Sequence, residues 1–115
     1  MNDEIKKWLY DILEAIQSIN QYIGDVRKFE VYETDKKLRR AVEREIEIIG
    51  EAANRIQKEK PDLVISNARQ IIATRNRVAH AYDAVNNGII WGIVINHLPK
   101  LQVEINQLLT NDKEP

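Results

Sequence analysis

Residues 35–59 read DKKLRRAVEREIEIIGEAANRIQKE, and their spacing decides the fold. Leu38, Val42, Ile46, Ile49, Ala53 and Ile56 recur at steps of three or four, the period of one helix face and incompatible with the two-residue alternation of a strand. Ala41, Ile48 and Ala52 form a second ridge beside the first, so this helix is expected to be covered on two sides. Thr34 or Asp35 can cap its start, because a short side-chain oxygen accepts from a first-turn N–H that has no partner within the helix. Lys58 to Lys60 followed by Pro61 end it, since proline disfavours the α conformation in the residue before it.

The same period extends outward in both directions. Ile5, Trp8, Leu9, Ile12, Ile16, Ile19 and Ile23 make a helical stripe entered from Asn2 or Asp3 and closed near Gly24. Residues 25–35, with Phe29 and Tyr32, lose the period and read as a connector with room for a short helical turn. Ser66 or Asn67 can cap a third helix running to about Ala81, and Asp83 to Gly88 form the next break. Ile90, Val94, Leu98, Leu101, Ile105 and Leu108 mark a final helical stretch, with Trp91 and Ile95 beside the ridge. Pro99 interrupts it, so the spacing predicts a kinked helix or two abutting ones. Four glycines and three prolines, with no Asn-Gly or Asp-Gly between alternating runs, argue against an all-β fold. The expectation is an all-α, up-and-down bundle of four to five helices, one domain over residues 1–110 and a frayed tail at 111–115. The apolar ridges exceed what one bundle core needs, which points to a homodimer.

Seventeen Lys and Arg against eighteen Asp and Glu leave a net charge of -1, so no global basic field draws in nucleic acid. With no cysteine, disulfides, cysteine-ligated metals and a thiol nucleophile are excluded. Residues 1–16 lack the apolar core of a signal peptide, and the stretch from Ile89 to Ile95 is far shorter than the roughly 20 residues needed to cross a bilayer. These features predict a cytoplasmic protein without membrane attachment.

Chemistry concentrates between Leu63 and Tyr82, a stretch with Arg69, Arg75, Arg77 and His80 and no acid. It is a local cationic surface suited to phosphate. At about 100° per residue on a helix, Asn76 and His80 share a face, while Arg75 and His80 diverge by roughly 140°. One helix presents Arg75 and His80 poorly to a single atom; two copies across a two-fold axis would supply both to a shared cleft.

Arg75-Asn76-x-x-x-His80-x-Tyr82 resembles the Arg-x4-6-His-x-Tyr motif of the HepT-like toxins, a branch of the HEPN superfamily of small helical ribonucleases. Ile49-Gly50-Glu51-Ala52-Ala53 resembles that branch's Ile-Gly-Glu-Ala-Ala signature, and Trp91 with Leu98-Pro99-x-Leu101 resembles its C-terminal helix. Order and spacing agree over residues 5 to 109. The chain departs from the pattern before Arg75, where Ala73-Thr74 stands in place of the Gly-Met or similar pair often found there. The resemblance implies an HEPN-like homodimer and a metal-independent endoribonuclease, the toxin of a toxin-antitoxin pair, with Arg75, Asn76 and His80 catalytic and no cofactor. It also implies a minimal nucleotidyltransferase antitoxin that transfers AMP to Tyr82. Arg69, Arg77 and Tyr82 are candidate RNA contacts.

The residues also admit a non-catalytic helical module that docks a nucleotidyltransferase, or a plain dimeric scaffold. His97, the other histidine, reads as structural. A two-histidine metal site has no support, since neither His-Glu-x-x-His nor cysteine is present. Glu43, Glu47 and Glu51 form a stripe with Arg39, Arg40, Arg44 and Arg55 three or four residues away, which reads as a solvated ion-pair face. Gly50 reads as a point of close helix approach.

Overall fold

The computed structural model describes residues 1–73 and 87–112, and among these every regular element is helical. Helix α1 spans Asp3–Ile23, α2 Phe29–Thr34 and α3 Lys36–Glu59. Residues 69–73 form a helical turn, α4. The chain continues with α5 (Asn87–Gly92), a π-helical turn (Ile93–His97) and α6 (Leu98–Asp112).

Local chemistry sets the ends of the long helices. Asn2 caps α1 by accepting from the Ile5 N–H at 2.8 Å, and Asp3 and Glu4 occupy the first turn, where negative charge complements the helix dipole. Gly24 closes α1 at φ 67, its N–H donating to the Asn20 carbonyl, a conformation that costs a residue with a Cβ. Of the two possible caps for α3, Asp35 serves, accepting from the Leu38 N–H at 3.0 Å. Thr34 turns back instead and donates to the Glu30 carbonyl at 2.7 Å. The Lys60 N–H makes the last bond, to the Ile56 carbonyl, before Pro61 stops the helix.

Helix α1 packs along α3 in the most extensive contact of the bundle, with α6 against α1 and α2 against α3 and α5. Ile5, Leu9, Ile12, Ile16 and Ile19 of α1 meet Val42, Ile46, Ile49, Ala53 and Ile56 of α3 in one core that Ile90, Val94, Leu98, Leu101 and Ile105 complete. These are the ridges that the spacing predicts. The second ridge of α3 is only half covered: Ala52 is buried, while Ala41 and Ile48 are partly exposed.

The connector contains the short helical turn that the sequence left room for: α2 has no side-chain cap and is held by packing, the Tyr32 and Phe29 rings lying 5.3 Å and 6.3 Å from that of Trp91. Two other elements differ from expectation. Asn87 and Gly88, expected in a break, are already helical in α5; residues 83–86 lie outside the described residues. Asn111 and Asp112, expected in a tail, are helical in α6, and Asp112 pairs with Lys6 at 3.0 Å and the Met1 ammonium at 3.3 Å; residues 113–115 lie outside the described residues.

Around Pro99 the chain neither breaks nor kinks simply. The Leu98 N–H donates to the Ile93 carbonyl, five residues back, in a wide turn that takes up one extra residue. Proline has no N–H for the Ile95 carbonyl and its ring crowds that oxygen, and widening the preceding turn relieves the clash. The buried face accordingly drifts, ending on Leu109 with Leu108 at its edge.

Tyr32 is buried at 1% exposure, and its hydroxyl has no hydrogen-bond partner among the described residues. Burial, with a lesser contribution from Glu43, pushes the phenol well above its ordinary pKa against the opposing effect of Arg39. An unpartnered buried hydroxyl costs about 1–3 kcal/mol, so Tyr32→Phe is expected to raise stability by about 1 kcal/mol in urea denaturation. A loss of stability would reveal a partner for the hydroxyl. Ile46→Ala, which empties a fully buried position, is expected to cost about 2–5 kcal/mol in the same measurement.

Candidate functional site

Of the candidate residues, the structure places Arg69, which is exposed on the first turn of α4. Arg75, Asn76, Arg77, His80 and Tyr82 lie outside the described residues. What is described is the approach to them, residues 60–73, and the helix that follows from Asn87.

Ser66 and Asn67, expected to cap the third helix with their own side chains, do not. Helix α4 starts at Arg69, its first α-type bond running from the Ile72 N–H to the Ala68 carbonyl at 2.9 Å. The acceptor for the preceding residues comes from α6. Glu104 Oε2 accepts from the Ser66 N–H at 2.9 Å and the Ser66 hydroxyl at 2.5 Å. Its Oε1 accepts from the Asn67 N–H at 3.3 Å and from Asn67 Nδ2 at 3.4 Å. Burial pushes the Glu104 carboxyl up, but the donors of Ser66 and Asn67 together outweigh it and hold the group below its ordinary value. The sequence does carry a trace of this role: Glu104 falls between Leu101, Ile105 and Leu108, at the margin of the apolar face of α6.

Beside this junction lies a groove of about 450 Å3. Ala53 and Gln57 of α3 form one wall, Leu63 and Ile65 of the connecting loop another, and Arg69 and Ile72 of α4 the third. It thus offers apolar surface with a guanidinium at its rim.

The carboxylate stripe of α3 is engaged mainly within its own helix. Glu51 pairs with Arg55 at 2.7 Å, Glu43 with Arg40 at 3.4 Å and Glu47 with Arg44 at 3.7 Å. The solvated reading holds for Glu51 and fails for Glu43, which is buried at 9% exposure and acts electrostatically on the Tyr32 phenol. Arg39 is not part of the stripe; it donates to the Glu33 carbonyl. Gly50 is buried in α3. His97 is half buried in the π turn. Among the described residues no three His, Asp or Glu side chains converge to hold a metal ion, and no helix is long and apolar enough to cross a membrane.

The described residues form an all-α bundle consistent with an HEPN-like fold. The chain belongs to the ribonuclease HepT-like family, whose model matches residues 12–108. A candidate RNase of Methanocaldococcus jannaschii is 34% identical over 111 residues, covering 92% of this chain and 88% of the relative. A protein of Thermococcus cleftensis named as a probable ribonuclease HepT is 33% identical over 107 residues, covering 90% and 94%. No solved structure matches the chain significantly. At the level of family, the chain stands among ribonucleases.

The depressed Glu104 carboxyl has a defined consequence for acid stability. Its contribution is fully present above the ordinary glutamate value of 4.5 and is lost as the pH falls through the lower folded value. Glu104→Gln is therefore expected to lower the melting temperature at pH 7 and to flatten the fall in stability below pH 4.5. An unchanged acid limb in thermal melts would show that the network contributes nothing net.

Proposed function

We propose that the protein is a metal-independent endoribonuclease that acts as a homodimer and serves as the toxin of a toxin-antitoxin pair. The observation that carries this reading is the family match over residues 12–108 together with the Arg75-Asn76-x-x-x-His80-x-Tyr82 sequence that falls inside it. The half-covered second ridge of α3 supports the dimer.

In the proposed reaction the RNA 2′-hydroxyl attacks the adjacent phosphorus. It loses its proton to a base, and the 5′-oxygen of the next nucleotide leaves and takes up a proton, giving a 2′,3′-cyclic phosphate and a 5′-hydroxyl. His80 suits the proton transfer, because an imidazole titrates near neutral pH. Arg75 supplies a permanently charged, planar donor array for the crowded phosphorane, and Asn76 orients the imidazole or binds an oxygen. The roughly 140° between Arg75 and His80 on a helix is met by drawing the two groups from different subunits. Arg69 and the adjoining groove would take a neighbouring phosphate and base, with Arg77 and Tyr82 as further RNA contacts.

Regulation falls to Tyr82. A partner nucleotidyltransferase would join the tyrosine oxygen to the α-phosphorus of ATP and release pyrophosphate. The added anion would sit seven residues from Arg75 and neutralise the cationic segment.

Purified protein expressed without a partner is expected to cut total RNA in EDTA, with His80→Ala and Arg75→Ala each reducing cleavage by at least about a hundredfold. Cleavage that survives in both variants would sink the site assignment. An unmodified wild type that cuts nothing would leave the module that docks a nucleotidyltransferase as the better reading.

A further inference from the structure

We propose that the groove between α3 and α4 is a subsite for one adenine nucleotide of RNA, with the base between its apolar walls and read by Gln57, and the phosphate on Arg69. The proposal rests on the ribonuclease reading for the class of ligand. It adds the identity of the base and the residue that reads it.

What can fill the groove follows from its walls. Ala53, Leu63, Ile65 and Ile72 supply apolar surface, and among the described residues that line it Arg69 alone is charged. Arg69 is exposed and pairs with no carboxylate among the described residues. The Glu104 carboxylate at the neighbouring junction is already taken up by the four donors of Ser66 and Asn67. A free guanidinium beside apolar surface fits a ligand with apolar faces and an anionic end. Val64, in the same wall, is 74% exposed, so such a ligand would also remove apolar area from water. Within RNA, a base and its phosphate have this form. The volume of about 450 Å3 is on the scale of small-molecule sites, about 300–1,000 Å3, and admits a purine.

Gln57 selects among the bases. Its amide makes no hydrogen bond to a described residue and presents one donor and one acceptor side by side. Adenine matches it with N7 and the N6 amino group on one edge, whereas guanine presents two acceptors there. A pyrimidine ring offers the apolar walls less area to bury. The walls are also set in advance of binding. Ala68 and the fully buried Ile71 seat the turn of α4 in the core, Ala53 and Ile56 fix the end of α3, and little ordering cost is left for the ligand to meet.

The test titrates the nucleoside 3′,5′-bisphosphates of adenine, guanine and cytosine, and adenosine itself, into the full-length protein and follows backbone amide shifts by NMR. The bisphosphates carry both phosphates that a nucleotide has within a chain. Gln57→Ala and Arg69→Ala are compared with wild type and with Arg55→Ala, a cation of α3 that does not line the groove. Wild type is expected to bind the adenine bisphosphate saturably, with shifts centred on residues 53–72. The affinity is expected to exceed that for the guanine and cytosine compounds, and that for adenosine, by at least about threefold each. Gln57→Ala is expected to erase the preference for adenine and keep the preference for phosphate; Arg69→Ala does the reverse, and Arg55→Ala keeps both. No saturable shift at about 10 mM, above the millimolar range of a weak single-nucleotide site, overturns the proposal. Shifts centred elsewhere, equal affinity for the three bases, or preferences unmoved by Gln57→Ala and Arg69→Ala overturn it as well. RNA cleavage is scored separately: a wild type that binds with these preferences but cuts no RNA overturns the ribonuclease reading and leaves the subsite standing.

Discussion

Two helices, α1 and α3, have apolar faces that neither can satisfy alone, and their mutual burial is the constraint on which the rest of the bundle depends. Most of the stability of an amphipathic helix in a protein comes from packing its apolar face, and the isoleucine-rich faces of α1 and α3 form a continuous seam. Every later element is attached to that seam. Helix α2 lies against α3 and α5, α6 lies against α1, and Ile71 carries the first turn of α4 into the same core. The β-branched side chains that dominate the seam have few helical rotamers to lose, so the geometry of the pair is well defined before the smaller pieces are added.

Features that depend on neighbours in sequence are the ones a reader of the chain can find. The ridges of α1, α3 and α6 follow from spacing, and Asn2, Gly24, Asp35 and Pro61 mark helix ends by chemistry confined to one turn. Helix α2 is legible only as room for a short turn, because its six residues are too few to show a period and Trp91, far along the chain, packs on its rings. Glu43 is misjudged for the same kind of reason: its spacing from Arg40 and Glu47 places it on a charged stripe, whereas it is buried near enough to Tyr32 of α2 to act on that phenol. Glu104 is the clearest instance: its place at the margin of the apolar face of α6 is legible, but not that its oxygens accept from Ser66 and Asn67. Of the candidate site, the motif from Arg75 to Tyr82 is legible as residue types at fixed spacing, and those residues lie outside the described ones.

The charge arrangement follows a simple division. On α3 the carboxylates are paired with arginines of the same helix, so that stripe projects little net field. Between Leu63 and Tyr82 the arginines have no acid among their sequence neighbours. A nearly neutral protein can in this way hold a cationic segment without the non-specific attraction to polyanions that a high overall charge brings.

The π turn at Ile93–His97 links these parts. It does more than accommodate Pro99: by admitting one extra residue, it sets the angular phase of everything that follows. Shortening that turn by one residue would rotate α6 by about 100° and draw it back by about 1.5 Å relative to α5. Leu101 and Ile105 would leave the core, and Glu104 would face away from Ser66. The wide turn thus works as a phase gauge between two halves of one long helix, and indels between Gly92 and Leu98 would be costly even though few of those side chains have a chemical role of their own.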